Sequence, residues 1–430
     1  MRVDWTQPVC AKSSGDFNIS LLLETISDRK QKDPATGEIS FDARDGMFHD
    51  ALSVLESSAE FDEAIPESMY RGLVFRSMVA VVNLKTLTAK AFKAELRRQE
   101  QAYKKTPLRR YVLTTSLSAR DLSESLPRTG ISGARITFGE RLPKPFRVEH
   151  ERMRQYGRQS LLGELPRNTG MMRRYTFARV SVWAKADIEA VESALDSLNL
   201  LRGIWNFYLN YPQFWRLSSG QRKPVNQIVL GPIHSLHEPD GKLAVDSNWY
   251  EPDYVGPLVS VRLGHHLEGM RAFERGVRRY LARSRYRADL EDSIRMYSRV
   301  LDSRDWNNAF VQLWGLLEHL TDTTRLDNKA TCKRAKFLYP REYRSMYGEV
   351  LTHLAHQRNR AVHAGHVSDD AETLLYQLKR NVENVLRFHL FAGADFASRA
   401  EAAGYLNLPP DLDELQKRMR LTRRAMKFHG

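Results

Sequence analysis

The spacing of apolar residues changes along the chain, and its first part predicts helices. Residues 1–107 start with a polar stretch, and helical spacing appears from Met47 in the segment FHDALSVLE. Ser68 precedes a second helical pattern that continues to Lys105, so we expect one long helix there, ended by Pro107. The later half of this predicted helix is strongly basic, which fits either a solvated helix face or a surface that contacts RNA.

Strand-like composition appears in residues 108–264, where β-branched and aromatic residues partly alternate with polar ones. Three segments predict strands: RRYVLTTSLSA, GARITFG and RYTFARVSVWA. The third is followed by a helical pattern whose apolar face is formed by Ile188, Val191, Leu195 and Leu198. Two further strand-like segments flank Glu238-Pro239-Asp240-Gly241, which predicts a β-hairpin. This part is therefore predicted to be an α+β domain.

Aromatic residues are concentrated at the end of that helix and just beyond it, at Trp205, Tyr208, Tyr211 and Trp215. Their spacing is helical or nearly so, which fits packing in a core or an interface. The same rings are suited to stacking on nucleic-acid bases. The sequence leaves both interpretations open.

Helical patterns dominate the remaining chain. In residues 265–395 they follow each other with short loops, which predicts a bundle of antiparallel neighbours. Residues 396–430 are less regular and finish in a basic amphipathic segment after Pro409-Pro410. The predicted fold class is α+β and multidomain: a helical and strand-rich N-terminal region, then an all-α C-terminal bundle.

The net charge of the 430-residue chain indicates which classes of partner we expect it to bind. The formal net charge is +14, which favours polyanions, nucleic acid before an anionic membrane surface. The only cysteines are Cys10 and Cys332, so thiolate zinc modules are excluded and a reducing compartment is indicated. No signal peptide or membrane-spanning segment is apparent, and we expect a cytoplasmic protein that does not enter a membrane.

One arginine interrupts the apolar stripe of a predicted helix that Pro340 opens and Gly365 closes. The stripe consists of Tyr343, Met346, Tyr347, Val350, Leu351, Leu354, Ala361 and Val362, and Arg358 occupies one of its positions. A guanidinium there costs several kcal/mol unless it gains an anionic partner or a wet or intersubunit cleft. Glu318 on an earlier helix is one candidate partner, and a bound phosphate is another.

His363 follows Arg358 and Asn359 in the pattern Arg-Asn-Arg-Ala-Val-His, near the predicted end of the same helix. A helix C-terminus stabilises protonated imidazole, which suits a proton donor or a phosphate ligand. On an ideal helix, positions 358 and 363 point about 140° apart. Both side chains can reach one cleft only if the helix end loosens or if two chains share the cleft.

Four histidines of this stretch offer another hypothesis. His353 with His356, and His363 with His366, form two pairs at a spacing that can chelate zinc. The stretch itself supplies no clear acidic or thiolate ligand, although Asp369 and Asp370 are close. The site prediction therefore contains no metal ligand.

The region from about 300 to 392 resembles HEPN domains of bacterial defence and toxin proteins. The resemblance is carried by Arg358, Asn359 and His363 and by an upstream helix, LWGLLEHL, that contains Glu318. It implies a four- or five-helix bundle that dimerises and cleaves RNA without a metal or other cofactor, at a site composed by two subunits. It also implies a catalytic role for Arg358, Asn359 and His363, with Glu318 and Arg360 in support.

The resemblance further implies that residues 1–264 form a sensor or recognition region for an unknown trigger: a phage protein, nucleic acid or nucleotide. We expect an endoribonuclease effector in antiphage defence or a toxin. Two alternatives stay open: a non-catalytic HEPN scaffold for dimerisation or nucleotide binding, and a basic regulator that binds nucleic acid.

Overall fold

A computed structural model describes most of the 430 residues. The described residues are 17–32, 39–42, 44–84, 86–122, 128–160, 175–213, 223–251, 254, 260–323, 327–364, 368 and 370–429, without the side chains of 156–160, 248, 363 and 364. The chain divides into two compact units, residues 1–111 with 183–193, and residues 112–182 with 194–430. The predicted boundaries after residues 107, 264 and 395 stay predictions.

The first unit is a helical cluster. Its elements are α1 (Ile19–Ser27), β1 (Gln31–Lys32), β2 (Ile39–Ser40), α2 (Gly46–Ser58), α3 (Glu67–Asn83) and α4 (Ala89–Lys105), with β1 and β2 antiparallel. Local caps begin three of the helices, since the side chains of Asn18, Asp45 and Thr88 accept hydrogen bonds from backbone N–H groups of the first turn. The core contains fully buried residues such as Leu23, Leu55 and Leu73.

The single long helix expected from Ser68 to Lys105 is wrong. The chain leaves α3 after Asn83 and starts α4 at Ala89. Thr88 is extended, and its hydroxyl accepts a hydrogen bond from the N–H of Ala91 at 3.2 Å, which caps the new helix. No glycine or proline marks this break in the sequence.

The second unit contains a six-stranded sheet. The elements between residues 109 and 262, most of which lie in the second unit, are β3 (Arg109–Leu117), β4 (Ala119–Arg120), β5 (Arg128–Ile131), β6 (Ala134–Gly139), α5 (Lys144–Ser160), β7 (Thr176–Ala184), α6 (Asp187–Asn210), β8 (Ile233–His237), β9 (Leu243–Tyr250) and β10 (Val261–Arg262). The strand order is β5-β6-β7-β3-β8-β9, and β4 pairs separately with β10. The predicted hairpin is confirmed, because β8 and β9 are antiparallel neighbours around Gly241, whose φ is 97°.

Alternation along β8 directs its side chains to opposite faces of the sheet. Ser235 lies 2.7 Å from the Nδ1 of His150 on α5, so this face is covered by α5. His234 points the other way and contacts Glu251, whose charge interacts with Arg202 on α6.

Helices form the rest of this unit, as predicted. They are α7 (His266–Arg283), α8 (Arg287–Asp302), α9 (Trp306–Leu320), α10 (Asn328–Phe337), α11 (Arg344–Ala364), α12 (Ala371–Ala392), α13 (Arg399–Leu406) and α14 (Leu412–His429). The most extensive helix pair is α9 with α12, and α10 packs on α11. A 3₁₀ turn at Arg341–Tyr343 follows Pro340, so α11 begins one turn later than expected. The predicted mixture of helix and sheet with a helical C-terminal region is confirmed.

No helix in the described ranges is both long enough and apolar enough to cross a membrane.

Candidate active site on helix α11

Arg358 lies on the buried face of α11. The residues one turn before it, Leu354 and Ala355, are 0% and 6% exposed, and Arg358 is 9% exposed. By contrast, Tyr343 and Met346 at the start of the expected stripe are about half exposed, at 53% and 50%. The apolar stripe is therefore buried only in the middle of α11, and Arg358 ends that buried section.

Glu318 on α9 is the acidic neighbour of Arg358. Its Oε1 lies 3.7 Å from the Nη2 of Arg358, and both residues are buried. The same Oε1 accepts a hydrogen bond from the indole Nε1 of Trp314, one turn earlier on α9, at 3.0 Å. The carboxylate is thus oriented by its own helix and reaches the guanidinium only at long range.

The distance between the charges of Arg358 and Glu318 is long compared with the ion pairs of the other buried cations. Arg202, Arg358 and Lys379 are the lysine and arginine residues buried in the described chain. The Nη2 of Arg202 lies 2.6 Å from the Oδ2 of Asp302, and the Nζ of Lys379 lies 3.0 Å from the Oε1 of Glu383. Charge-assisted hydrogen bonds are typically about 2.7–2.9 Å. The first two cations are therefore matched closely by a carboxylate, whereas Arg358 has no such close carboxylate among the residues that the structure describes.

Asn359 gives Arg358 a second contact. Its Oδ1 accepts hydrogen bonds at 3.2 Å from the Nη1 of Arg358 and from the Nδ2 of Asn328, the first residue of α10. The Oδ1 of Asn328 is buried and has no hydrogen-bond partner among the described residues. Such an atom costs about 1–3 kcal/mol unless a donor reaches it. Asn328 is a member of this cluster that the sequence did not suggest.

The remaining predicted residues are placed as follows. Arg360 is exposed on α11. The backbone of His363 belongs to the helix, which continues as α-helix through Ala364, but its side chain lies outside the described residues. The helix therefore does not unwind between positions 358 and 363, and about 140° separates them around its axis.

Only two of the four histidines of the alternative zinc hypothesis have described side chains. His353 and His356 are exposed on α11, whereas the side chains of His363 and His366 fall outside the described set. Within that set, no three or more His, Cys, Asp or Glu side chains converge on a point suited to a metal ion.

A buried hydroxyl–imidazole cluster lies between the sheet and α5. Thr114 on β3 faces Ser235 on β8, and their hydroxyl oxygens are 2.8 Å apart. The Nδ1 of His150 and the Nε2 of His237 both lie within 3.1 Å of these two oxygens. Since the Nδ1 of His237 lies 2.9 Å from the carbonyl oxygen of Gly241, that nitrogen carries the proton and the Nε2 accepts.

Burial sets the protonation of this cluster. It lowers the pKa of His150 to about 3, and it also lowers the pKa of His237. Thr114, Ser235 and His237 are fully buried, so a substrate cannot reach the hydroxyls. The cluster fastens α5 to the sheet.

The opposite sheet face holds a hydroxyl–imidazole–carboxylate chain. The Nδ1 of His234 lies 2.7 Å from the hydroxyl of Thr115, and its Nε2 lies 3.0 Å from Glu251. Burial raises the pKa of Glu251, but the hydrogen bond and charge of His234, with the charge of Arg202, outweigh it and the pKa lies below its usual value. Thr115 is 0% exposed, so this arrangement is also structural. Arg358 and its neighbours remain the better candidate site.

Comparison with known proteins gives no further guide to this site, because no family model, curated protein or solved structure matches the chain.

Proposed function

We propose that this chain is a metal-independent endoribonuclease of the HEPN type that acts in antiphage defence or as a toxin. The observation that carries the proposal is the guanidinium of Arg358, buried yet held 3.7 Å from the nearest carboxylate of the described residues, that of Glu318. A purely structural arginine at this depth would be expected to pair closely, as Arg202 does. The RNA phosphate would complete the charge balance of Arg358.

The proposed reaction is an attack by the 2′-hydroxyl of RNA on the adjacent phosphorus. The new 2′-O–P bond replaces the 5′-O–P bond, which leaves a 2′,3′-cyclic phosphate and a 5′-hydroxyl end. The 2′-hydroxyl loses a proton and the leaving oxygen gains one, and His363 would serve one of these transfers. Arg358 would stabilise the additional negative charge of the transition state, and Asn359 would orient the phosphate or the histidine. Arg360 would add a phosphate contact at the exposed side of the helix.

The helix geometry supports a composite site. Because α11 stays helical through Ala364, Arg358 and His363 of one chain start in different directions around the axis. Two copies of α11 facing each other would bring Arg358 of one protomer toward His363 of its partner. We therefore propose a homodimer as the active form.

A second candidate function is binding of nucleic acid without cleavage. It is favoured by α14, which has no buried residue and contains six lysine or arginine residues against two acidic ones. Such a helix can contact phosphates directly, and binding would then be strongly dependent on salt. The two functions differ in whether Arg358 and His363 matter.

Cleavage of RNA in excess EDTA tests the proposal. We expect the wild-type protein to cut in EDTA and to release fragments with 2′,3′-cyclic phosphate ends. Arg358→Ala and His363→Ala should each lower the rate by about 100-fold or more, the usual effect of losing a group that transfers a proton or stabilises charge. The exposed Arg341 and His353 supply matched controls, and Arg341→Ala and His353→Ala should cut like the wild type.

Folding must be separated from chemistry, since Arg358→Ala leaves Glu318 buried without its cation. The double variant Arg358→Ala with Glu318→Gln removes this uncompensated charge, and circular dichroism melting reports its fold. Equal cutting by all folded variants would dismiss the site. Loss of cutting in EDTA alone would favour the zinc hypothesis.

A further inference from the structure

A cavity of about 620 Å³ opens between the end of α6, the start of α7 and the last turns of α12. Four of its lining residues are aromatic and one is an arginine. The residues used below are Phe207, Tyr208, Tyr211, Gln213, Phe273 and Arg387. Its volume lies in the range of about 300–1,000 Å³ that is usual for small-molecule sites.

Three of the aromatic rings, those of Phe207, Tyr208 and Phe273, form one continuous wall. The ring centre of Phe273 lies 5.7 Å from those of both Phe207 and Tyr208. Phe207 is 2% exposed and belongs to the core, whereas Tyr211 is 41% exposed at the opening. A wall of flat rings favours a flat, aromatic ligand.

Arg387 brings a positive charge to this wall. Its guanidinium carbon lies 4.5 Å from the ring centre of Tyr211 and 5.3 Å from that of Phe391. Stacking uses the face of a guanidinium and leaves its N–H groups directed outward in the plane, where they can bind a phosphate by two hydrogen bonds. Arg387 also interacts with the charge of Glu383, but that carboxylate is already paired with Lys379 at 3.0 Å.

Gln213 contributes an unsatisfied acceptor at the cavity wall. Its side-chain Oε1 is buried and has no hydrogen-bond partner among the described residues. Its backbone is fixed, since its N–H donates to the carbonyl oxygen of Asn210 at 2.9 Å and its carbonyl oxygen accepts from Lys379 at 3.1 Å. An N–H donor of a bound ligand would remove the cost of this buried oxygen.

We infer that this cavity binds an adenine nucleotide. The base would stack on the aromatic wall, the phosphate would bind Arg387, and the amide of Gln213 would pair with the base. A glutamine amide can bind adenine through two hydrogen bonds, accepting from N6 and donating to N7. An uncharged aromatic ligand would not use Arg387, and a phosphate alone would not use the rings. The inference goes beyond the proposed ribonuclease and does not depend on it.

Titration calorimetry on the full-length protein tests the inference, with AMP, UMP and inorganic phosphate as probes. We expect AMP to bind, and UMP and phosphate to bind at least about tenfold more weakly, a difference of about 1.4 kcal/mol. Arg387→Gln and Tyr211→Ala should each weaken AMP binding about tenfold or more. Tyr211→Phe should retain it, because the ring is preserved.

Arg97→Gln is the matched control for Arg387→Gln, because Arg97 is exposed on α4 in the other compact unit. It should bind AMP like the wild type, and circular dichroism should confirm that every variant is folded. Three results would overturn the inference: no heat of binding with AMP at about 1 mM, equal affinity for AMP and UMP, or unchanged affinity in folded Arg387→Gln and Tyr211→Ala. RNA cleavage is not part of the readout, so the ribonuclease proposal can fail or succeed separately.

Discussion

At the scale of single residues, burial of a charge does not by itself identify a functional site in this protein. Arg202 and Lys379 are each 1% exposed, deeper than Arg358, yet both have a close carboxylate. What distinguishes Arg358 is the quality of its pairing. The 3.7 Å gap to Glu318 leaves the guanidinium with donor capacity inside a low-dielectric environment, where a phosphate would be bound strongly.

The buried histidines predict a dependence of stability on pH. The folded-state pKa of His150 is about 3 and that of His389 about 4, both below the ordinary 6.5. A depressed pKa means that the folded state disfavours the protonated histidine. The contribution of each histidine to the free energy of unfolding is therefore complete above pH 6.5 and is lost as the pH falls toward the folded-state pKa. We expect the free energy of unfolding to drop between about pH 6.5 and pH 4, by about 1.4 kcal/mol per pH unit for each such histidine.

His150→Asn isolates one of these groups. Asparagine keeps an acceptor near the position of Nδ1, beside Ser235, but does not titrate. Urea denaturation at a series of pH values should show a shallower loss of stability in His150→Asn than in the wild type. His353→Asn changes an exposed histidine and should leave the slope as it is. An unchanged slope in His150→Asn would mean that His150 does not titrate in this way.

Sequence reasoning at this scale found the residues that are adjacent along a helix and missed those that meet across the fold. Arg358 was singled out because it breaks an apolar period, and the structure buries it. Asn328 is 31 positions from Asn359, and Ser235 is 121 positions from Thr114. No local pattern marks such pairs, because they depend on how helices and strands are brought together. Glu318 could be proposed as a candidate partner because both helices were predicted, and its carboxylate lies 3.7 Å from Arg358.

At the scale of elements, most strands and helices were predictable from period and composition. The strand at Thr176–Ala184 alternates buried positions with partly buried or exposed ones, as a half-covered strand should. The errors fall where local signals are weak. The helix break before Ala89 contains no glycine or proline, and α10 is a short basic helix with only Thr331 and Ala335 buried. Its apolar period is too short to detect.

Close packing of α6 on α8 makes a second testable statement about elements. A Cβ at Gly203 would lie 2.7 Å from the Cγ2 of Ile294 and 2.8 Å from its carbonyl oxygen, so the backbone of α8 would have to move. We expect Gly203→Ala to lower the free energy of unfolding by about 1–3 kcal/mol, as overpacking usually does. Urea denaturation measures the change.

Gly276 on α7 is the control for helix propensity, because a Cβ there meets nothing within 4 Å. Gly276→Ala should be neutral or stabilising by up to about 1 kcal/mol, the difference between glycine and alanine in a helix. If Gly203→Ala also stabilised the protein, the close approach of the two helices would be wrong.

At the scale of the whole molecule, the excess of positive charge is the clearest guide to partners. The net charge is +14, and α14 concentrates six of the basic residues on one exposed helix: Lys417, Arg418, Arg420, Arg423, Arg424 and Lys427. If α14 contacts phosphates, each neutralised phosphate adds about 0.7 to the slope of log affinity against log salt for a single strand. The role of α14 is thus measurable apart from any cleavage.

Single-stranded DNA is the suitable probe, since it lacks the 2′-hydroxyl that the proposed reaction requires. We expect the triple variant Arg420→Gln, Arg423→Gln, Arg424→Gln to bind more weakly than the wild type and to reduce the salt slope by up to about 2, because three phosphate contacts are lost. The variant Lys90→Gln, Lys93→Gln, Arg97→Gln removes the same charge from the exposed face of α4. Fluorescence anisotropy at several salt concentrations compares the two. A larger loss of affinity in the α4 variant would instead identify the basic face of α4 as the surface that binds nucleic acid. Its sequence is compatible with that alternative.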